Sequence, residues 1–382
     1  MISLFRKRGA KMSNPCLILE PWSLSLDERL QIFHDSKKRG KKIALYYAKA
    51  PDNTTFRYRV YNVFQITKQS RTWQAVFFFK DEINKIKEVL PKADLLVLSR
   101  QSRWGGTVEQ LEKCAKNNSI PILFDLDDLV FEKKYMDTVM NVIGENNNYS
   151  FWIPYIDKLF ETAKRCDGYL ATNDFLANKL SETFGKPCKI IRNSINEEQL
   201  AASNAYLALK HKEKARDGFS IGYFSGTPTH KNDLAVALPE IIEFLKKHPD
   251  TTLKITGYMD LDDNVMDLLA AERIVFLPVV DFRKLQYRMS EVDVNIAPLV
   301  KSIFTDCKSE LKFFEAAIVE TTTIASPTYT FSKAITNGKN GFLAWPGEWF
   351  DILERLYEDR ELNRAVAKKA RKYAIEIGRA HV

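Results

Sequence analysis

The chain has 382 residues, of which 45% are hydrophobic and 28% charged, a balance that excludes a disordered or collagen-like chain. At about 100–200 residues per domain, this length favours two domains. No apolar run reaches the ~18 uncharged residues that a membrane span needs, and the basic start lacks the apolar stretch of a secretory signal. We therefore expect a cytoplasmic protein.

Basic residues exceed acidic ones by 57 to 49, giving a formal net charge of +8. Besides a solvated surface, this excess fits nucleic acid, anionic lipid or a phosphate-bearing substrate. The sequence has no RNP or helix-turn-helix signal, so nucleic acid is not an expected partner. Basic residues near the start and at 37–42 lead to the hypothesis of peripheral contact with the anionic inner face of a membrane.

Metal and disulfide chemistry have little support in the sequence. The five cysteines include no pair at CxxC spacing, and the five histidines include none at ligand spacing. Neither a disulfide framework nor a zinc site is expected.

Short, β-branched, nearly continuous apolar runs alternate with helical periods along most of the chain, which is typical of parallel strands covered by helices. The first series of predicted strands is Lys42–Ala48, Ala75–Phe79, Asp94–Leu98, Pro121–Leu126, Gly168–Thr172 and Lys189–Arg192. The second series is Phe219–Phe224, Leu253–Gly257, Ile274–Pro278, Val292–Pro298, Thr322–Ser326 and Gly341–Trp345. Predicted helices between them include Val108–Asn117, Phe151–Cys166 and Leu234–Lys247. Two such series predict two doubly wound α/β domains.

The polar, Lys- and Glu-rich stretch 196–218 separates the two series. We expect a first domain over 1–200 with a basic, helical lead-in at 1–40, a linker at 201–218 and a second domain over 219–375. The last seven residues, EIGRAHV, match the translation of a common sequencing adaptor, so we expect 376–382 to be an assembly artefact.

The segment FSIGYFSGTPTHKND, at 219–233, joins a predicted buried strand to a predicted helix through small residues. Small residues let a ligand approach the backbone, and a helix start offers unpaired N–H groups. The segment therefore predicts either a phosphate-binding turn or a plain capped turn. Its candidate ligand contacts are Gly226, Thr227, Thr229, His230 and Lys231.

The segment 292–326 contains a predicted strand, a loop and a helix that begins at about Ser309. Lys308 and Lys312 are four residues apart, and Glu315 lies three beyond Lys312, so all three share one helix face. Two cations beside a carboxylate fit a sugar nucleotide, with the lysines on phosphate and the glutamate on hydroxyls. A solvated, salt-bridged face fits the same pattern.

Taken in order, IGYFSGTPTHKND, DVNIAPL, KSELKFFEAA and IASPT resemble the donor half of group-1 glycosyltransferases. The resemblance is strong in the second half of the chain and weak in the first. It implies the GT-B fold, in which two Rossmann-like domains face a cleft. It also implies retaining transfer from a nucleoside-diphosphate sugar, held by the C-terminal domain, to an acceptor on the N-terminal domain. No metal is implied, because basic residues neutralise the leaving diphosphate.

The family's motif matches this chain in part. The second glutamate of its Glu-x7-Glu pair matches Glu315, which is expected on the nucleotide ribose, while the first falls on Cys307. Asp306 or Glu310 is left to contact the transferred sugar. The family's phosphate-binding arginine falls on Thr227. The resemblance therefore implies that the available lysines, Lys231, Lys308 and Lys312, neutralise the diphosphate.

The acceptor side is less explicit. Arg57 and Arg59 alternate with aromatics in APDNTTFRYR and are either surface charges or a grip on the acceptor. The glycines of Ser99–Gly106 are expected to line the same cleft. Asp125, Asp127 and Asp128 close a strand at its carboxyl end, where open α/β sheets bind ligands. Asp127 falls where the family has a histidine that touches the transferred sugar, so the resemblance implies this role for Asp127. The alternative roles for these aspartates are helix capping and metal binding.

These patterns lead to one functional hypothesis: a glycosyltransferase of the hexosyltransferase type, acting on a glycan or lipid-linked acceptor in polysaccharide biosynthesis. Its expected catalytic residues are Asp127, Lys231 and Lys312, its acceptor contacts are Arg57, Arg59 and Asp125, and the expected donor contacts are Gly226, Thr227, Thr229, His230, Lys308, Ser309, Glu310 and Glu315. No cofactor is expected. The alternatives are a nucleotide-sugar epimerase of the same fold and a non-catalytic sugar-binding protein.

Overall fold

A computed structural model describes residues 20, 22–52, 54–103, 105–143, 149–212, 218–225, 231–257, 259, 261 and 265–380. Side chains at 141–143, 231 and 378–380 are outside this description. Within it the chain forms two six-stranded parallel sheets with helices packed on them.

The first sheet contains β1 (Lys42–Tyr47), β2 (Trp73–Phe78), β3 (Leu95–Ser99), β4 (Ile122–Leu126), β5 (Gly168–Ala171) and β6 (Cys188–Ile190). The helices of this half are α1 (Leu26–Lys38), α2 (Asn62–Gln69), α3 (Ile83–Val89), α4 (Thr107–Asn117), α5 (Met136–Ile143), α6 (Tyr149–Arg165), α7 (Asp174–Phe184) and α8 (Glu197–Lys210). A π-helix precedes α2 at Arg57–Tyr61, and 3-10 turns lie at Lys80–Glu82, Leu90–Lys92 and Lys133–Tyr135.

The second sheet contains β7 (Phe219–Phe224), β8 (Thr251–Thr256), β9 (Ile274–Leu277), β10 (Val294–Ala297), β11 (Thr322–Ala325) and β12 (Phe342–Leu343). The helices of this half are α9 (Lys231–Ala235), α10 (Leu238–Lys247), α11 (Met266–Ala270), α12 (Phe282–Ser290), α13 (Ile303–Asp306), α14 (Leu311–Ala317), α15 (Tyr329–Ala334), α16 (Trp349–Glu358) and α17 (Arg360–Ala380). Each of the twelve predicted strands overlaps an observed one, because continuous apolar runs are what doubly covered parallel strands require.

The strand orders are β2-β1-β3-β4-β5-β6 and β12-β11-β10-β7-β8-β9. The order reverses between β1 and β3 in the first sheet and between β7 and β10 in the second. Open parallel sheets bind ligands outside the carboxyl ends of the strands at such reversals. The topology therefore predicts that ligands bind beside the loops after β1, β3, β7 and β10. The predicted two-domain α/β fold is confirmed.

One predicted helix is wrong in detail. The sequence predicts a single helix over Leu234–Lys247, whereas the structure has α9 and α10 with a turn between them. Pro239 lies in the first turn of α10, where its missing N–H is not needed, and there it begins a new helix.

Each sheet has its own apolar core. Phe124, Leu126 and Leu129 are fully buried in the first, and Ile221, Tyr223 and Ile255 in the second. The long helix α17 packs on the second half, where Ala370 and Ala374 contact the cluster that contains Phe313 of α14. Among the helices in the described part of the chain, none combines the length and apolarity that a membrane crossing requires.

Candidate active site

A cavity of about 530 Å³ lies between the carboxyl edges of the two sheets. The first half contributes residues that follow β1, β3 and β4, and the second half contributes residues from the ends of β7 and β8, from α12 and from α14. Its charged lining residues are Arg57, Arg100, Asp127, Asp128, Lys308, Lys312 and Glu315. The structure thus brings residues more than 250 positions apart around one space, as the two strand-order reversals require.

The second-half wall carries Lys312 on α14. Phe313 and Phe314 of this helix are buried in the core, while Lys312 lines the cavity. Its Nζ donates a hydrogen bond of 2.7 Å to the Phe224 carbonyl oxygen at the end of β7 and lies 4.9 Å from the Tyr223 ring. Desolvation in this setting lowers the pKa of Lys312 to about 8.

Lys308 and Ser309 line the same wall, just before α14. Lys308 Nζ lies 3.6 Å from Asp128 Oδ1, an ion pair that crosses the cavity. Ser309 Oγ accepts a hydrogen bond of 3.0 Å from Asn193 Nδ2, which also comes from the first half. Two of the predicted donor residues therefore touch the opposite domain.

Glu315 is buried where the two halves meet. Its Oε1 accepts hydrogen bonds from the Tyr58 hydroxyl, from Arg57 at 3.3 Å and from Gln199 at 3.4 Å. The Arg57 guanidinium also lies 4.7 Å from the Phe282 ring of α12. Burial is the main reason that the pKa of Tyr58 is raised, so its hydroxyl remains protonated and able to donate.

The first-half wall carries Asp127, directly after β4. Its Oδ2 accepts from Thr55 Oγ1 at 2.9 Å, and its Oδ1 accepts from Arg100 at 3.0 Å. Arg100 also donates to Asp128 at 3.2 Å and to the Tyr155 hydroxyl at 3.2 Å. The φ of Arg100 is +48°, in the left-handed region that side chains seldom occupy and that is found at functional sites.

Arg59 and Asp125 do not line the cavity, so the structure does not support the expected contact of either side chain with an acceptor. Both side chains are fully buried and paired: Arg59 Nε donates to Oδ1 at 2.8 Å and Nη2 to Oδ2 at 3.0 Å. Arg59 also donates to Asn193 Oδ1 at 3.0 Å. This bidentate pair ties the π-helix to the end of β4, one residue before Leu126 and two before Asp127.

Glu310 faces a different cavity of about 370 Å³ behind α14. There it lies 3.6 Å from the Arg192 guanidinium, and burial raises its pKa. Asp306 accepts from Lys301 Nζ at 2.7 Å and from the Tyr329 N–H at 2.8 Å. Neither carboxylate is among the residues that line the large cavity. This geometry therefore does not favour a direct contact between Glu310 and a donor bound in the large cavity.

Four predicted donor contacts, Gly226, Thr227, Thr229 and His230, lie outside the described residues. Lys231 begins α9 directly after them, and its side chain is likewise outside the description. Ser225, the last described residue before this stretch, does line the cavity. The described end of β7 therefore lies at the cavity edge.

The three aspartates at the carboxyl end of β4 have separate partners. Asp125 pairs with Arg59, while Asp127 and Asp128 pair with Arg100. In the ranges that the structure describes, no group of three or more His, Cys, Asp and Glu side chains is arranged to hold a metal ion.

Sequence reasoning missed the cavity residues Tyr58, Arg100, Asn193 and Phe282. It also missed Gln199, which is buried and contacts Glu315. Tyr58 stands between the two arginines that the alternating pattern did select, and Arg100 stands beside glycines that were expected to line the cleft. The structure places Arg100 on the cavity, whereas Gly105 and Gly106 are not among its lining residues. Asn193 and Gln199 had no signal in the sequence, because only the closed tertiary arrangement brings them to the site.

Residues 219–359 match the family model described as glycosyl transferases group 1. A search of curated proteins by sequence gives no significant match. The match lies in the second half of the chain, where the four motif segments resemble the same family.

Solved structures of other proteins share the fold of most of this chain. The Anabaena HepE protein, crystallised with UDP and glucose, has a TM-score of 0.57 at 13% identity, covering 87% of this chain and 94% of that one. The sucrose-phosphate synthase of Thermosynechococcus elongatus gives 0.53 at 12%, covering 88% and 94%. The pneumococcal O-GlcNAc transferase GtfA, crystallised with UDP and GlcNAc, gives 0.52 at 17%, covering 78% and 57%. The fold of this chain is therefore GT-B, as the resemblance implied.

Proposed function

We propose that the protein transfers a hexose from a nucleoside-diphosphate sugar to a glycan or lipid-linked acceptor in polysaccharide biosynthesis, with retention of configuration and without a metal. One observation carries this proposal: Lys308, Lys312 and Glu315 line one wall of a cavity whose opposite wall carries Asp127. We further propose that residues 1–200 hold the acceptor, 219–375 hold the donor and 201–218 link them.

The two lysines supply what a departing diphosphate requires. Negative charge grows on the leaving oxygen as the glycosidic bond breaks, and fixed cations in a partly desolvated site stabilise it. Lys312 is held by one carbonyl oxygen, which leaves its remaining N–H groups for phosphate oxygens. Lys231 and the segment 226–230, which continues from β7, complete the proposed phosphate contacts with Gly226, Thr227, Thr229 and His230.

On the sugar side, Asp127 has one oxygen on Thr55 and the other on Arg100, so its carboxylate is fixed in place. A fixed carboxylate accepts hydrogen bonds from sugar hydroxyls. No covalent step is assigned to it: departure and attack on one face, guided by the diphosphate, retain the configuration. Arg59 and Asp125 act behind this residue by holding the end of β4, and Arg57 is proposed to act through Glu315.

UDP is the first nucleotide to test, because the HepE and GtfA structures contain it. A thermal-shift screen compares UDP, GDP and ADP and their sugars. A nucleotide present at 100 times its dissociation constant stabilises the folded protein by about 2.7 kcal/mol. No shift with any nucleotide would contradict the donor site.

Product analysis then separates the candidate reactions. A transferase releases nucleoside diphosphate only when an acceptor is present, and the anomeric configuration of its product reports retention. An epimerase changes the sugar without releasing it, and a binding protein does neither. If transfer needs no metal, the rate in EDTA is expected to equal the rate without it. Loss of activity in EDTA would overturn the proposal that the enzyme is independent of metal.

We also propose a cytoplasmic location with peripheral contact to anionic lipid. Lys37, Lys38 and Arg39 are exposed at the end of α1, although Lys37 is partly engaged by Asp94 at 3.0 Å. Each such charge contributes about 1 kcal/mol at an anionic surface and less at high salt. The protein is expected to co-sediment with phosphatidylserine vesicles at low salt and not with neutral vesicles. Vesicle binding that does not weaken as salt rises would contradict the proposed lipid contact.

A further inference from the structure

We infer that Tyr58, with Arg57 and Gln199, is a positioning residue for Glu315: the first half of the chain orients the carboxylate that the second half offers to the nucleotide ribose. The inference rests on the proposed role of Glu315. It adds residues from the opposite domain, none of which the sequence assigned to the donor.

All three donors converge on the same oxygen. The Tyr58 hydroxyl, Arg57 Nη2 and Gln199 Nε2 each donate to Glu315 Oε1. Among the described residues, no hydrogen bond to Oε2 is found, and Glu315 lines the cavity. One oxygen is thus anchored while the other is left to accept from a ligand, which is the geometry of a preoriented acceptor.

The anchor is itself fixed. Arg57 Nη1 donates to Gln199 Oε1 at 3.2 Å, so the two side chains hold each other as they hold the carboxylate. The Arg57 guanidinium stacks 3.9 Å from the Tyr58 ring and 4.7 Å from the Phe282 ring. Gln199 is fully buried on α8, and Arg57 is nearly so. Loss of one member therefore disturbs the orientation of the carboxylate.

Two of the donors come from an unusual local structure. Arg57, Tyr58 and Tyr61 belong to a π-helix, a wider turn that is frequent at functional sites. All five of its residues are buried. Because these donors come from one domain and Glu315 from the other, the anchored carboxylate depends on the contact between the two domains.

The test compares the dissociation constants of UDP and 2′-deoxy-UDP by calorimetry. If Glu315 accepts from the ribose hydroxyls, the unaltered protein prefers UDP by roughly ten- to a hundredfold, as a hydrogen bond to a charged group provides. Glu315→Gln removes most of that preference. Tyr58→Phe keeps the ring and removes one donor, and it is expected to lower the preference about three- to tenfold.

A double-variant cycle makes the role specific. In the Glu315→Gln background, Tyr58→Phe is expected to change the preference no further, since both act through one carboxylate. Tyr61→Phe is the matched control: Tyr61 is the next tyrosine of the same π-helix, but its hydroxyl donates to Glu198 at 2.7 Å. Its removal should leave the preference for UDP unchanged.

Each remaining outcome overturns the inference. Equal weakening of both nucleotides by Tyr58→Phe in either background indicates a merely structural role, and tighter binding of both indicates that Tyr58 competes with the ribose. If Glu315→Gln leaves the preference intact, the ribose assignment and the inference fail together. Sugar transfer that persists in that case keeps the proposed transferase function standing.

Discussion

The two walls of the cavity use their charges differently. On the first-half wall, Arg100 is bound by Asp127 and Asp128, and behind it Arg59 is bound by Asp125. On the second-half wall, Lys312 is held by a carbonyl oxygen and makes no ion pair with any described residue. The lining of the first-half wall has two cations and two carboxylates, whereas that of the second-half wall has two lysines and one carboxylate.

This difference separates two kinds of ligand. A wall whose cations and carboxylates already neutralise each other suits the hydroxyls of a sugar acceptor, because it presents oriented but compensated polar groups. A wall whose lining has more lysines than carboxylates is suited to an anion, and partial desolvation strengthens that attraction. Net charge alone, +8 over the whole chain, therefore does not locate the proposed phosphate site.

The largest effect is expected from breaking the balance behind the first wall. Arg59→Met leaves the buried Asp125 carboxylate without its partner and should lower the free energy of unfolding by about 3–5 kcal/mol. Urea denaturation followed by tryptophan fluorescence measures the loss. The double variant Arg59→Met/Asp125→Leu removes both charges and is expected to recover much of it.

An exposed pair supplies the control for this prediction. Lys85 and Glu88 form an ion pair on the surface of α3. Lys85→Met should cost no more than about 1 kcal/mol, because solvent screens an exposed pair. A double variant at Arg59 and Asp125 that is less stable than both single variants would show that the ion pair is not the source of the loss.

The second effect tests the excess cation. Lys312→Ala should lower turnover by ~10²–10³, more than it raises the dissociation constant of the donor, because charge on the leaving diphosphate grows in the transition state. Lys312→Arg should rescue only in part, since a planar fork does not replace a compact ammonium. Steady-state kinetics and donor titration measure the two quantities.

Lys339 is the control for this variant. It is exposed in the turn at 338–340, remote from the cavity lining, and Lys339→Ala should keep normal turnover. Near-normal turnover of folded Lys312→Ala would place this lysine on a solvated face instead, and the donor site would then depend on Lys231 and Lys308.

The third effect is a pH dependence that only the second wall should show. Because the pKa of Lys312 is lowered to about 8, its ammonium is present below that pH and lost above it. Affinity for UDP should therefore fall as pH rises through 8, by at most about tenfold per pH unit for one proton. Calorimetric titration from about pH 7 to 9.5 measures this fall, and Lys312→Met should flatten it. An unchanged slope in that variant would assign the titration to another group.

The smallest effect concerns the ion pair between Lys308 and Asp128, which joins the two walls. Asp128→Asn removes the carboxylate that lies 3.6 Å from Lys308 Nζ and should free the lysine for phosphate. Since partly exposed pairs contribute up to about 1 kcal/mol, UDP should bind up to roughly fivefold more tightly. Weaker binding would show that Asp128 positions Lys308 rather than competing for it.

The sequence alone determined the architecture and one wall of the site. Apolar runs predicted all twelve strands, because a parallel strand covered on both faces must be apolar along its whole length. Lys308, Lys312 and Glu315 could be grouped because they share one short segment and one helical face. Asp127 was found from its place at the end of a strand, where such sheets bind ligands.

Only the tertiary structure decided which charges remain available to a ligand. Arg57 and Arg59 read alike in the sequence, yet Arg59 is sealed against Asp125 while Arg57 reaches Glu315 of the other domain. Glu310 and Glu315 stand on one segment, yet they face different cavities. Residue spacing describes neighbours along one element, whereas charge compensation depends on contacts between elements far apart in the chain. That is why Tyr58 and Gln199 emerged at the site only when the two halves were packed together.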